Sequence, residues 1–134
     1  MSSNIKFILY VDDDSDDREF LSDAFKEVNQ GIKLVMAEHG LKALDYLYAL
    51  KEGNAELPSL IILDINMPYL NGMETFDKLK TDVSLQHIPV VIFTSSLHPK
   101  DKLLFNNLGV EFINKPNSIA EMRRIANQMI LECA

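Results

Sequence analysis

Apolar and polar positions change period along this chain. Short apolar runs at residues 5–11, 33–38, 59–64, 89–94 and 110–114 alternate with stretches in which apolar side chains recur every three or four positions, a pattern that predicts strands alternating with helices. The runs at 5–11, 59–64 and 89–94 are almost continuously apolar, which suits central strands of a parallel sheet covered on both faces. The run at 33–38 carries Lys33 and Glu38, which suits an edge. The expected architecture is an α/β doubly wound sheet of five parallel strands in the order 2-1-3-4-5, with five helices.

The helical stripes are specific. Phe20, Leu21, Ala24, Phe25 and Val28 share a face of the first helix, Leu41, Leu44, Leu47 and Tyr48 of the second, and Met73, Phe76 and Leu79 of the third. Leu103, Leu104 and Leu108 mark a short fourth helix opened by Pro99 at its first position, and Ile119, Met122, Ile125, Ala126, Met129 and Ile130 mark a long fifth. Ser118 and Glu121 form a capping-box pattern at its start. These stripes read as core-facing surface rather than a cofactor box. Nothing resembles a repeat or a linker, so the expectation is one domain over residues 1–134 with its core at about 5–132.

Composition narrows the classes. At 47% hydrophobic and 25% charged the chain matches an ordinary globular protein, and no apolar stretch approaches the roughly 20 residues of a membrane helix. The first residues lack the pattern of a secretory signal, so a cytoplasmic location and no membrane contact are expected. A net charge of -7 argues against nucleic acid, whose phosphates call for clustered Lys and Arg. The lone cysteine, Cys133, allows no internal disulfide and reads as a non-functional thiol in a reducing compartment.

Four separated points then fit one chemical site: Asp12, Asp13 and Asp14 after the first strand, Asp64 ending the third, Thr94 ending the fourth, and Lys115 before Pro116. All lie where open α/β sheets bind ligands, at the carboxyl edge. Taken singly each is weak, since an Asp at a strand end is usually a turn former, and Asp14, Asp16, Asp17 and Glu19 suit the solvated acidic start of a helix. Taken together they read as a Mg²⁺-dependent aspartyl-phosphate switch. Crowded carboxylates welcome a hard divalent cation, Asp64 can attack phosphorus once that charge is neutralised, and Lys115 and Thr94 can hold the phosphoryl oxygens. An EF-hand fits poorly, because Asp17 stands where that loop needs Gly and Asp23 where it needs Glu.

At these residues the chain resembles the receiver domain of two-component response regulators, over almost its whole length. Ile8-Leu9-Tyr10-Val11-Asp12-Asp13-Asp14 is similar to the family's first strand and acid pair, and Leu63-Asp64-Ile65-Asn66-Met67-Pro68 with Asn71-Gly72 to its phosphorylation loop. Val91-Ile92-Phe93-Thr94-Ser95 is similar to its switch strand and Lys115-Pro116 to its last motif. The segments Asp17-Arg18-Glu19, Ala43-Leu44-Asp45-Tyr46-Leu47 and Ile88-Pro89-Val90 resemble stand-alone receivers of the phytochrome-associated kind.

The resemblance implies a flavodoxin-like fold. It also implies Mg²⁺ on Asp12, Asp13, Asp64 and the backbone carbonyl of Asn66, phosphorylation of Asp64, and Thr94 and Lys115 on the phosphoryl group. A cis Lys115-Pro116 bond would aim Lys115 into the pocket. Phe112 stands where many receivers carry a switching Tyr and lacks its hydroxyl, which makes a sharp rotamer switch less defined.

The implied protein is a single-domain switch rather than a metabolic enzyme. It would accept a phosphoryl group from a histidine kinase or phosphotransfer protein. It would signal to a downstream protein, or self-associate, through the fourth helix, fifth strand and fifth helix, which Thr94 and Lys115 flank. Exposed members expected there are Lys102, Phe105, Asn106, Glu111 and Arg124. The rival is a small haloacid dehalogenase-type phosphatase with Asp12 as nucleophile and Asp14 as acid/base, which leaves Asp64 idle. A flavodoxin-like FMN binder is weaker, since carboxylates occupy the loop where a flavin phosphate needs hydroxyls and amides.

Overall fold

The computed structural model describes residues 7–132. In chain order the elements are β1 (Ile8–Val11), α1 (Ser15–Val28), β2 (Leu34–Ala37), α2 (Gly40–Glu52), β3 (Leu60–Leu63), α3 (Gly72–Thr81), β4 (Val90–Thr94), α4 (Pro99–Asn107), β5 (Glu111–Asn114) and α5 (Ile119–Glu132). The strands form one sheet in the order β2-β1-β3-β4-β5 with every pairing parallel, as the apolar runs predict. Each strand is shorter than its apolar run. Residues 5 and 6 of the first run, and Cys133, lie outside the described residues.

Strand alternation divides the core into two layers. Ile8 and Tyr10 of β1 point with Ile62 toward Leu21 and Phe25 of α1 and Met122, Ile125 and Met129 of α5. Leu9 and Val11 point the other way, with Ile61, Leu63 and Ile92, toward α2, α3 and α4. β1 and β3 are buried along their whole length, whereas β2 and β5, at the two edges, are open on part of theirs.

The fourth helix corrects the sequence expectation. Its leucines face outward, with Leu103 61%, Leu104 43% and Leu108 49% exposed, while Phe105, expected on the surface, is 1% exposed. The cause is ring packing: Phe105 meets Phe76 edge-on at 5.7 Å between centroids and Phe112 at 6.2 Å. One large ring supplies more buried area than a leucine and sets which way a nine-residue helix turns. Leu41, at the start of α2, is likewise 44% exposed, beside the buried line of Ala43, Leu44 and Leu47.

Helix ends follow the local chemistry. Pro99 opens α4 as expected. Ser118 Oγ accepts the Glu121 N–H, but the Glu121 carboxylate pairs with Arg124 rather than reaching back. The reciprocal capping box forms instead at α3, between Asn71 and Glu74.

Candidate functional site

Three candidate residues are placed by one device, the sheet ladder continued one residue beyond each strand. Asp12 N–H donates to Ala37 O at 3.1 Å, Asp64 N–H to Val11 O at 3.1 Å, and Lys115 N–H to Thr94 O at 2.9 Å. Asp12 and Asp64 thereby stand on neighbouring central strands at the carboxyl edge. Lys115 comes in from β5. No described peptide bond is cis, so the expected cis Lys115-Pro116 bond is trans. With the trans bond, the Lys115 N–H still continues the ladder to Thr94 O and its ammonium still reaches the carboxylates.

The ammonium of Lys115 makes three hydrogen bonds, to Asp12 Oδ2 at 2.6 Å, Asp17 Oδ2 at 2.8 Å and Asp64 Oδ2 at 3.0 Å. Those are all the donors it has. Burial alone would pull its pKa down, but the bonds to Asp12 and Asp17 and the charge of Asp64 outweigh burial and hold it above the ordinary lysine value. Lys115 is therefore a fixed cation in a pocket of carboxylates.

Asp12 is fully buried and its oxygens are all engaged. Oδ1 accepts the Asp14 N–H at 2.9 Å, and Oδ2 accepts the Tyr10 hydroxyl at 2.6 Å beside the Lys115 ammonium. Burial first, and then the charge of Asp12, push the Tyr10 hydroxyl above the ordinary tyrosine value, so it serves as a donor. Arg18 Nη1 donates to Asp12 O at 2.6 Å and fixes the loop backbone. Asp14 caps α1, accepting the N–H groups of Asp16 and Asp17. A phosphatase with Asp12 as nucleophile and Asp14 as acid/base fits badly, since one carboxylate is sealed in and the other is turned to its helix.

Asp13 is exposed at the mouth. Oxygen atoms from Asp12, Asp13 and Asp64 all lie within 4.8 Å of one another, a set of hard donors that suits Mg²⁺. Asp64 Oδ1 accepts the N–H of Ile65 at 2.7 Å. Behind it, Gly72 N–H donates to Ile65 O at 2.8 Å, folding the loop onto the start of α3. That loop carries exposed Asn66, and Tyr69 at φ 67°, whose ring rests 4.9 Å from His39.

Thr94 is buried at the end of β4, and its hydroxyl oxygen accepts the Ser96 N–H at 3.2 Å. Asn114 Nδ2 donates to Ser96 O at 2.7 Å and Thr94 O at 3.3 Å, and Ser96 Oγ donates to Asp101 Oδ2 at 2.6 Å. The end of β4 is thus wired to β5 and to the first turn of α4. Phe112 is half-buried against Phe105.

The structure brings the expected Asp12, Asp13, Asp64 and Lys115 together, and adds Tyr10, Asp17 and Asn114, which the sequence did not single out for the site. The signal for Tyr10 was present: it lies two residues before Asp12, on the same face of a strand.

A sequence model described as the response regulator receiver domain matches residues 8–127. The chain is 29% identical over 119 residues to "Response regulator Rcp1" of Synechocystis, covering 87% of this chain and 81% of that one. A structure of the Mn²⁺-bound form of that protein superposes with a TM-score of 0.77 at 26% identity, over 92% of this chain and 90% of the other. The phosphorylated cyanobacterial phytochrome response regulator RcpA superposes with a TM-score of 0.81 at 28% identity, over 92% of this chain and 90% of that one. A match 36% identical over 126 residues, 90% of this chain, makes up 8% of the much longer "Histidine kinase P4" of Formosa agariphila.

Proposed function

The chain belongs to the response regulator receiver family, and from that membership we propose that Asp64 is its phosphoacceptor, Lys115 and Thr94 its phosphoryl-holding groups, and Mg²⁺ its metal. One observation carries the reading: a single buried ammonium bonds both Asp64 and Asp12 at the carboxyl edge of the sheet. An Asp64 oxygen forms its bond to phosphorus while the P–N bond of a phosphohistidine breaks. The imidazole nitrogen leaves with the electron pair and takes a proton from solvent. Mg²⁺, held by Asp12, Asp13, Asp64 and the carbonyl of Asn66, supplies the positive charge that lets two anions meet. Thr94 already accepts from Ser96, so its own hydroxyl proton remains to be donated to a phosphoryl oxygen.

The donor is a histidine kinase or phosphotransfer protein, and the chain acts as a switch rather than a turnover catalyst. Output runs through α4, β5 and α5, to a downstream protein or a second copy. The bonds from Asn114 to Ser96 and from Ser96 to Asp101 support that route, because they tie the Thr94 end of β4 to both neighbours. Lys102, Asn106 and Arg124 are exposed on this face, Glu111 is half-buried, and Phe105 belongs to its interior. No helix among the described residues is long and apolar enough to cross a membrane. A cytoplasmic location fits a kinase partner, and the negative charge disfavours direct DNA contact.

Borohydride trapping after exposure to phosphoramidate and Mg²⁺ tests the assignment. The adduct is expected at Asp64 and is lost in Asp64→Asn, with the fold retained. An adduct at Asp12, or undiminished labelling of Asp64→Asn, overturns it.

A further inference from the structure

Asp17 stands outside the acid pair and the phosphoacceptor, yet it holds one of the three donors of Lys115. Its Oδ2 lies 2.8 Å from the Lys115 ammonium, closer than Asp64 Oδ2 at 3.0 Å. The two side chains differ in burial: Lys115 is 8% exposed and Asp17 35%, so Asp17 closes the pocket over the ammonium from the solvent side. Its position is built. Asp17 lies in the first turn of α1, and its backbone N–H is bonded at 3.1 Å to the capping carboxylate of Asp14. Asp16, one residue earlier, carries the same charge and shares that cap, but it is exposed and makes no ion pair with Lys115.

An ammonium with three donors and three carboxylate acceptors has none left for a new anion. A phosphoryl group on Asp64 must therefore displace one of them. The donor now on Asp64 passes to the phosphoryl group that Asp64 carries, and Asp12 is sealed inside and also held by Tyr10, so a second phosphoryl oxygen can be met only in place of Asp17. The exposed partner is the one that can let go into water.

We propose that Asp17 is a positioning residue that parks Lys115 on the α1 side of the pocket in the resting protein, and that phosphorylation exchanges Asp17 for a phosphoryl oxygen. The proposal rests on the reading of Asp64 as phosphoacceptor. Asp17 then sets how readily the phosphorylated state is reached. It does so by competing for a cation rather than by touching phosphorus or metal.

The test uses the full chain with Mg²⁺ and fluoroberyllate, a non-covalent mimic of the phosphoryl group. Asp17→Asn is expected to bind the mimic roughly fivefold more tightly, the size of effect a partly exposed ion pair produces. Asp16→Asn and the charge-retaining Asp17→Glu are expected to stay within about twofold of the wild type. The Nζ resonance of Lys115 gives a second readout: Asp17→Asn shifts it in the resting protein, Asp16→Asn does not, and fluoroberyllate shifts it in the wild type. Equal affinities for Asp17→Asn and Asp16→Asn, or an unmoved Lys115 resonance in Asp17→Asn, overturn the proposal while leaving Asp64 in place. A wild-type chain that binds no fluoroberyllate removes the phosphoacceptor reading and the proposal with it.

Discussion

Gly72 and Asp64 meet backbone to backbone: a Cβ added at Gly72 would fall 2.3 Å from the Asp64 carbonyl oxygen and 2.7 Å from the Ile65 Cα. No rotamer relieves such a contact, because both partners are main chain. Gly72→Ala is expected to push α3 away from the end of β3 and tilt the Asp64 carboxylate. The better helix propensity of Ala offsets part of the overpacking, leaving a net loss of about 1–2 kcal/mol. Urea unfolding checks the stability, and phosphoramidate labelling should slow at least about tenfold, the cost of a misplaced reacting group.

Tyr10→Phe removes the hydroxyl that donates to Asp12 Oδ2 at 2.6 Å in a fully buried setting. A hydrogen bond to a charged group of this kind contributes about 1.5 kcal/mol or more, so a loss of that order is expected in denaturant titrations. Asp12 keeps Lys115 as a partner. Phosphoryl acceptance should therefore survive.

Glu111 gives a pH signature. Burial first, and then the nearby Glu132, raise its pKa above the ordinary glutamate value, with Gln128 opposing. The folded state thus favours the protonated form. Stability from this group is fully present below the ordinary glutamate pKa and is lost as pH rises through the raised value. Glu111→Gln is expected to match the wild type near pH of about 4 and to exceed it at neutral pH, in thermal melts at both pH values. A gap that opens on acidification instead would contradict the assignment.

Asn114→Ala cuts the bonds to Ser96 O and Thr94 O without touching the carboxylates. Phosphoryl acceptance is expected to change only a few-fold. In the wild type, phosphorylation should alter amide hydrogen exchange mainly across residues 95–114. In the variant the response of residues 95–102 should shrink, because the tie between β5 and the β4–α4 connection is gone.

The sheet was legible in the sequence because β1, β3 and most of β4 are buried on both faces and so are apolar at successive positions. The same burial stranded Asp12, Asp64 and Thr94 as conspicuous polar residues at the strand ends. Helix α4 misled because three leucines outnumber one Phe, while its orientation is set by Phe76 and Phe112 on other elements. Local periodicity carries no record of distant rings. Asp17 was hidden differently: within α1 it looks like an ordinary helix-start acid, and its partner lies 98 residues away. The Lys115 ammonium reaches Asp12 and Asp64 across a trans Lys115-Pro116 bond, so the cis bond implied by the resemblance is not needed to bring it there.

The graded burial of the sheet makes the fold mechanically lopsided. The strands that present Asp12 and Asp64 are walled in from end to end, while β5 is only half-buried and ends on exposed Asn114. A charge placed on Asp64 presses against an anvil on one side and a spring on the other. On the proposed reading, the work it does would be delivered toward the less buried edge. The softer edge is also the one that sends Lys115 to Asp12 and Asp64, so a change to β5 would be felt at the anvil through a single side chain.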